Sequence, residues 1–315
     1  MRYIEDFKDG DNIVQHYLCK KKDVLKTKSG KSYMSIILAD KTDTVVAKAW
    51  NLNNDIQSFE AGDFIKIEAT AQLYLEEIQL NVRKIRKSQP GEYLPQDYIP
   101  VTDKDVGKIY AAVCELIKSL DNAYLEEMLT NIFVNNKEIE QAFLRHSAAK
   151  HMHHSYMGGL CEHTLSVAQI CDFLAPRYKF VNRDILISAA LLHDIGKIYE
   201  LSDFPENDYT DAGQLLGHIY ITSELIALEA ARIEGFPDVL KNLLQHCILS
   251  HHGKHEYGSP ILPKTMEAII LSFADITDAH TKMFEEALEK APVQADWAGY
   301  NRLLGRDIRK SHQII

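Results

Sequence analysis

Two periods of apolar residues divide the chain. In the first ninety residues apolar and polar side chains tend to alternate. "YMSIILAD" (33–40), "TVVAKAWN" (44–51), "FIKIEATAQ" (64–72) and "IQLNVRKI" (78–85) are rich in β-branched residues and read as strands. Ser29-Gly30, Asp40 to Asp43 and Gly62-Asp63 supply the turns between them. About five strands in so short a stretch predict a small closed barrel over residues 1–88. "SQPGEYLPQDYIPVTD" (88–103) carries three prolines and a glycine, so residues 89–103 are expected to be an extended linker. From Val106 the spacing becomes three-and-four: Val106, Ile109, Tyr110, Val113, Leu116, Ile117 and Leu120 lie on one helical stripe, with Thr102 or Asp103 as its cap. Helices then continue, and no strand of substance is expected after residue 105. The fold class is α+β multidomain: a small barrel over 1–88, then an all-helical bundle over 104–315.

The helices carry a second pattern. His163 lies on the inward stripe of Leu160, Val167, Ile170, Cys171 and Leu174. Ile185 and Ala189 lead at four-residue steps to His193, which stands beside Asp194. His218 shares a face with Leu215, Thr222 and Leu225, and Leu240, Leu244 and Cys247 lead to His251, with His252 next to it. Asp275 sits inside a helix that is apolar nearly all round. Each unpaired ionisable group costs several kcal/mol to bury. Net stability is only about 5–15 kcal/mol, so the set needs a common partner. A divalent metal, bound by neutral imidazoles and carboxylates, serves all of them at once. Neighbouring helical residues diverge by about 100°, so His193 and Asp194 can embrace an ion at the helix edge. Gly196 is then expected to end that helix and leave Lys197 free beside the site.

Composition sharpens this picture. Fourteen histidines is a high count, and most lie between His146 and His280. The net charge of −10 is uneven: residues 1–90 hold 15 basic against 13 acidic side chains, the remainder 20 against 32. The basic residues of the barrel include Lys20, Lys21, Lys22, Lys26, Lys28 and Lys31, then Arg83, Lys84, Arg86 and Lys87, with Tyr17, Tyr33, Trp50 and Tyr74 among them. Basic loops with aromatic rings suit single-stranded nucleic acid, and Lys22, Lys31 and Trp50 are the candidates for that contact. An acidic domain acts on phosphates when metal cations supply the positive field. The five cysteines show no C-x-x-C pair, and the start "MRYIEDFKDGDN" reads as neither a signal nor a transit peptide. A cytoplasmic protein with reduced thiols is expected. No apolar run reaches the roughly 18–20 residues of a membrane span. The amphipathic stretches around 104–146 and 281–305 are candidate surfaces for a homo-oligomer.

The series His163, His193-Asp194, His218, His251-His252, Asp275, with "LLHDIGK" at its centre, resembles the HD-domain metallophosphohydrolase superfamily over residues 150–290. That resemblance implies a helical bundle with metals at its centre. His163, His193, Asp194 and Asp275 would hold one ion. Asp194 would bridge to a second, held by His218 and by His251 or His252. Together with the barrel and linker, "HHSYMGGLCEHTLSVAQI" and "LLHDIGKIYEL" resemble the YhaM family of bacterial 3'-5' exoribonucleases. This implies hydrolysis of single-stranded RNA, with single-stranded DNA left open, to nucleoside 5'-monophosphates. Manganese is the implied metal; iron, magnesium and zinc also suit some of these ligands. Asp194 and Lys197 would be catalytic, with Lys197 neutralising phosphoryl charge. His154 could contact phosphate, as could His153, and Gly159 could let backbone approach the substrate. Three alternatives remain at this point: a phosphohydrolase of small or cyclic nucleotides, a two-iron oxygenase, and a non-catalytic nucleic-acid-binding protein.

Overall fold

The computed structural model describes residues 2–27, 29–75, 77–94, 97–99, 101–150 and 154–311. Lys28, His151, His153 and the linker prolines Pro95 and Pro100 lie outside the described residues. The chain divides into two compact units, Met1–Val101 with Phe204–Glu206, and Thr102–Asp203 with Asn207–Ile315.

The first unit is a closed five-stranded barrel. Its strands are β1 (Asn12–Lys26), β2 (Ser32–Ala39), β3 (Thr44–Ala49), β4 (Phe64–Tyr74) and β5 (Glu77–Lys87), in spatial order β1-β2-β3-β5-β4. The 15-residue β1 closes it, pairing its first half with β4 and its second half with β2. β3 and β5 pair in parallel and the other neighbours are antiparallel. Together with the strand order, this gives the barrel its OB-like topology. Period-two burial fills the interior with Ile36, Leu38, Ala47, Ile65, Ile67 and Leu80. A register shift at Glu68/Ala69, opposite Val82 to Lys84, resets the phase of β5, so that Val82 and Ile85 both face inward.

Two expectations change here. Lys20, Lys21 and Lys22 lie within β1, not in a loop, because the strand continues past the bulge at Cys19/Lys21 to pair with β2. The stretch read as an extended linker is partly packed. Tyr93 stacks on Phe64 with centroids 4.1 Å apart, Glu92 pairs with Arg86, and Tyr98 and Ile99 are buried.

The second unit is mainly helical. Its helices include α1 (Val106–Lys118), α2 (Ala123–Thr130), α3 (Lys137–Arg145), α4 (Gly159–Leu174), α5 (Arg183–Leu192), α6 (Lys197–Glu200), α7 (Asp211–Arg232), α8 (Asp238–Ser250) and α9 (Met266–Lys290). Asp105, not Thr102 or Asp103, caps α1, accepting from Lys108 N. α5 is buried along Ile185–Leu192, as befits a helix that is apolar all round, and packs against α4, α8 and α9. Its C-terminal end therefore lies in the middle of the bundle.

The expectation of helix throughout 104–315 fails at the C-terminus. α9 stops at Lys290, and Trp297–Asn301 (β6) pairs antiparallel with Arg306–Arg309 (β7). Met283, Leu304 and Ile308 pack this hairpin onto α9. The stretch 281–305 is thus the end of α9 followed by a hairpin, and no continuous amphipathic helix. Gly299 (φ +88) and Gly305 (φ +63) break the helical period.

Candidate metal centre

α5 ends at Leu192, so His193 to Gly196 form a tight turn instead of the last helical residues. Gly196 does not itself end α5, which stops at Leu192; its φ is −63°. A Cβ there would lie 2.5 Å from the His218 carbonyl oxygen and 2.6 Å from Thr222 Oγ1. Its N–H donates to that same hydroxyl at 3.0 Å. The glycine exists to let the turn lie against α7.

Around this turn the structure gathers the histidines and aspartates singled out in sequence. α4 brings His163, the turn brings His193 and Asp194, α7 brings His218, and α9 brings Asp275. His251 and His252 follow α8. His163, His193, Asp194 and His251 are at most 2% exposed. The His218, Asp275 and Lys197 side chains are 12–15% exposed and mark the open side. The atoms fall into two groups, His163–His193–Asp275 and His218–His251–His252, each close enough to hold an ion.

Asp194 faces both groups. Its Oδ2 lies 3.5 Å from His163 Nε2 and 3.4 Å from His193 Nε2. Its Oδ1 lies 3.5 Å from His218 Nε2 and 3.8 Å from His251 Nε2. His251 and His252 both lie in the His218 group, so the geometry keeps both as candidate ligands, and of the two it is His251 that faces Asp194.

The tautomers follow from the partners. His193 Nδ1 donates to Ala190 O at 2.8 Å, His251 Nδ1 to Ile248 O at 2.7 Å, and His252 Nδ1 to Tyr257 O at 2.8 Å. A carbonyl only accepts, so these Nδ1 atoms carry hydrogen and each Nε2 presents a lone pair. Burial pushes the pKa of all three rings down, which keeps them neutral and ligand-competent. His163 differs. Burial works to lower its pKa, but Asp275 and Asp278 outweigh it and raise the ring to about 9. Its Nε2 lies 3.2 Å from both Asp275 Oδ1 and His193 Nε2. For Asp194, burial is outweighed by Lys197 and the imidazoles, and its pKa lies well below the usual carboxylate range.

A metal fits this donor set. Asp194 Oδ1, His218 Nε2 and His251 Nε2 are buried and make no hydrogen bond. Such atoms cost about 1–3 kcal/mol each unless something pairs them. All three converge on one point, and a cation there satisfies them together.

Other expectations need correction. Lys197 is not free: its Nζ lies 2.7 Å from Asp194 Oδ2, since a buried carboxylate beside an ammonium holds it. His154 is 2% exposed, with φ +56°, and offers no face to a phosphate. Its Nε2 is 3.1 Å from Asp278 Oδ2, so it stands behind His163. Gly159 is buried too. A Cβ on it would lie 2.0 Å from the His154 carbonyl oxygen, so its smallness serves packing against that carbonyl and not an approaching substrate. Leu215 is 81% exposed, because α7 breaks at Gly217 (φ 73°, ψ 156°) and its face before the break differs from that after it.

Two residues of the centre were missed in sequence. Asp278 Oδ2 accepts from His163 Nδ1 at 2.6 Å, and Glu200 Oε1 accepts from His218 Nδ1 at 2.9 Å. Asp278 lies three residues after Asp275, so helical spacing could have pointed to it; Glu200 carried no such signal.

In the barrel, Trp50 is 41% exposed and stacks on Tyr33 with centroids 4.7 Å apart. Lys48 Nζ lies 5.7 Å from the Trp50 ring centroid and 5.5 Å from that of Tyr74. Lys31 donates to Asn51 Oδ1 at 2.7 Å. Tyr17 is core. Lys22 is half-buried, donating to Phe59 O at 2.5 Å and pairing with Glu60, so the structure uses it internally. Lys84, Arg86 and Lys87 each face a carboxylate, respectively Glu68, Glu92 and Asp63.

Comparison with known proteins fits this geometry. Residues 160–280 match the HD domain family, which implies binding of divalent metal. The chain is 36% identical to the 3'-5' exoribonuclease YhaM of Oceanobacillus iheyensis, covering 84% of this chain and 83% of that protein. It is 32% identical to the YhaM of Geobacillus sp. (strain WCH70), over 91% and 88% of the two chains. This chain belongs to the YhaM family of 3'-5' exoribonucleases. The family's Bacillus subtilis (strain 168) member is likewise 32% identical, over 89% of each chain. Among solved structures, the second OB-fold domain of replication protein A from Methanococcus maripaludis matches with a TM-score of 0.23 and 16% identity. That match covers 30% of this chain and 97% of the other. The OB-like description rests on strand order and not on that likeness. No helix among the described residues is long and apolar enough to cross a membrane.

Proposed function

We propose that this chain hydrolyses single-stranded RNA from its 3' end, releasing nucleoside 5'-monophosphates at a centre of two divalent ions, with manganese the favoured metal. The observation that carries the two-ion reading is Asp194, whose two oxygens face two separate groups of ligand atoms. His163, His193, Asp275 and Asp194 Oδ2 would hold one ion, and His218, His251, His252 and Asp194 Oδ1 the other. Such ions supply Lewis-acid stabilisation of phosphoryl charge and acidify water.

The chain's own residues do the rest. Carbonyl and carboxylate partners fix the rings, so little reorganisation is needed when charge develops. Burial of His193 and His251 keeps bulk water from one side, while the partly exposed Lys197 and His218 leave an approach for a phosphodiester. Lys197 adds positive charge at that opening. In the barrel, Trp50, Tyr33 and Tyr74 offer rings to bases, and Lys48 and Lys31 offer charge to phosphates. Sequence-tolerant, salt-sensitive binding follows. A cytoplasmic location goes with an RNA substrate.

The test is a 5'-labelled single-stranded RNA with added manganese. A ladder shortening from the 3' end, abolished by Asp194→Ala, is expected. No degradation with any divalent ion would remove the nuclease reading. Preferential turnover of mononucleotides or cyclic dinucleotides would replace it with a small-nucleotide phosphohydrolase.

A further inference from the structure

Gly217 interrupts α7 with a backbone conformation that only glycine adopts readily. His218 is the first residue of the restarted helix. A helix start leaves backbone N–H groups without intrahelical partners. Here the His218 N–H donates to Glu200 Oε1 at 3.0 Å, and its ring Nδ1–H donates to the same oxygen at 2.9 Å. One carboxylate oxygen thus caps the second half of α7, where negative charge is favoured, and fixes the imidazole that faces Asp194 Oδ1.

Glu200 is itself held in place. Its carbonyl accepts from Thr210 N at 3.0 Å. A Cβ on Gly213 would lie 2.1 Å from that carbonyl oxygen, so only glycine lets α6 and α7 meet there. The other half of the centre has a different carboxylate. Asp278 accepts from His163 Nδ1 and is supported by Ser166 and His154. Glu200 comes from α6 and Asp278 from α9, and each grips a histidine on opposite sides of Asp194.

We propose that Glu200 is the positioning residue that builds the His218–His251–His252 half of the centre, as Asp278 does for the other half, so that losing either carboxylate weakens chiefly the ion of its own half although Asp194 is shared. This rests on the two-ion reading above. Removing Glu200 frees the His218 ring to rotate and leaves the restarted helix uncapped. The His163–His193–Asp275 half keeps its own partners. Loss of a carboxylate behind a ligating histidine weakens metal affinity about 10–100-fold.

The experiment titrates metal-free full-length protein with manganese by calorimetry, alongside electron paramagnetic resonance of the bound ion. The unaltered protein should take up two equivalents. Glu200→Ala should keep one equivalent near its original affinity and bind the second about 10–100-fold more weakly. Asp278→Asn should keep one equivalent too, and the two variants should give different resonance signatures. Adding His193→Ala to Glu200→Ala should abolish the remaining tight ion, whereas adding His251→Ala should not. If Glu200→Ala fails to fold, Glu200→Gln keeps the shape and the acceptor and removes only the charge, and the same half should weaken. Two equivalents bound by the Glu200 variants as by the unaltered protein would overturn the proposal. So would equal weakening of both ions in a variant that melts normally. A single equivalent in the unaltered protein would instead overturn the two-ion reading itself, and it would be seen before any variant is made.

Discussion

The barrel and the helical bundle place their chemistry on opposite sides of their cores. In the barrel the interior is filled by Ile36, Leu38, Ile65, Ile67 and Leu80, each at most 1% exposed, while Trp50 and Tyr74 stand outside at 41% and 56%. In the bundle His193 and His251 are fully buried and Asp194 is 2% exposed. A surface that grips a polymer gains from many similar contacts, each modest. A centre that concentrates charge needs few groups, excluded from water and fully partnered. Substitutions should therefore act gradually in the barrel and nearly all-or-none in the bundle.

The largest effect should come from Asp194→Ala, which removes the carboxylate that faces both ligand groups and strands Lys197. Ionic stabilisation at such a centre amounts to several kcal/mol, so kcat/KM should fall by about a thousand-fold or more. A loss of about tenfold would mean that the two groups function without a shared carboxylate. Gly196→Ala should follow. The added methyl meets the His218 carbonyl at 2.5 Å, and backbone on one side must move. Because Asp194 and His218 lie on the two sides, a loss of about 10–100-fold in manganese affinity and in kcat/KM is expected, the range of disturbed ligand support. Unchanged kinetics would show that the turn tolerates displacement.

The same contrast explains what the sequence revealed. A histidine on an apolar stripe is conspicuous, because nothing else on that stripe is polar, so His163, His193, His251 and Asp275 could be read from spacing alone. His218 was found despite a wrong face, since the break at Gly217 is invisible to a period count. Glu200 sits in an ordinary polar stretch and gains its role only when α6 meets α7. Lys22 and Lys31 look alike in sequence; the barrel half-buries one against Phe59 and leaves the other exposed. The C-terminal hairpin escaped because its strands are short and polar, and only Ile308 of β7 is fully buried.

On the barrel side, Trp50→Ala should weaken binding of long single strands. Stacking on an exposed ring is worth about 1–3 kcal/mol per base, or roughly 5–150-fold in affinity. KM for a long RNA should rise while cleavage of a dinucleotide stays unchanged. If both substrates suffer equally, the barrel does not hold the strand.

The smallest effect tests the packed stretch that follows β5. Arg86 binds Glu92 through two contacts, at 2.6 and 2.7 Å, and the Gln89 N–H donates to the same carboxylate. The Arg86 guanidinium leads in holding the Glu92 pKa down, to about 2, with the Gln89 N–H next. A carboxyl whose folded pKa lies below its unfolded value of about 4.3 contributes stability that is complete above that value. The contribution is lost as pH falls toward 2. The pair is open to solvent, so the contribution is small. Glu92→Gln should therefore melt slightly below the unaltered protein at pH 6, and the gap should narrow progressively from about pH 5 and close as pH falls through about 2. A gap that stays constant over that range would mean that the substitution costs packing against the barrel and not charge, leaving Tyr93 stacked on Phe64 as the contact that docks this stretch.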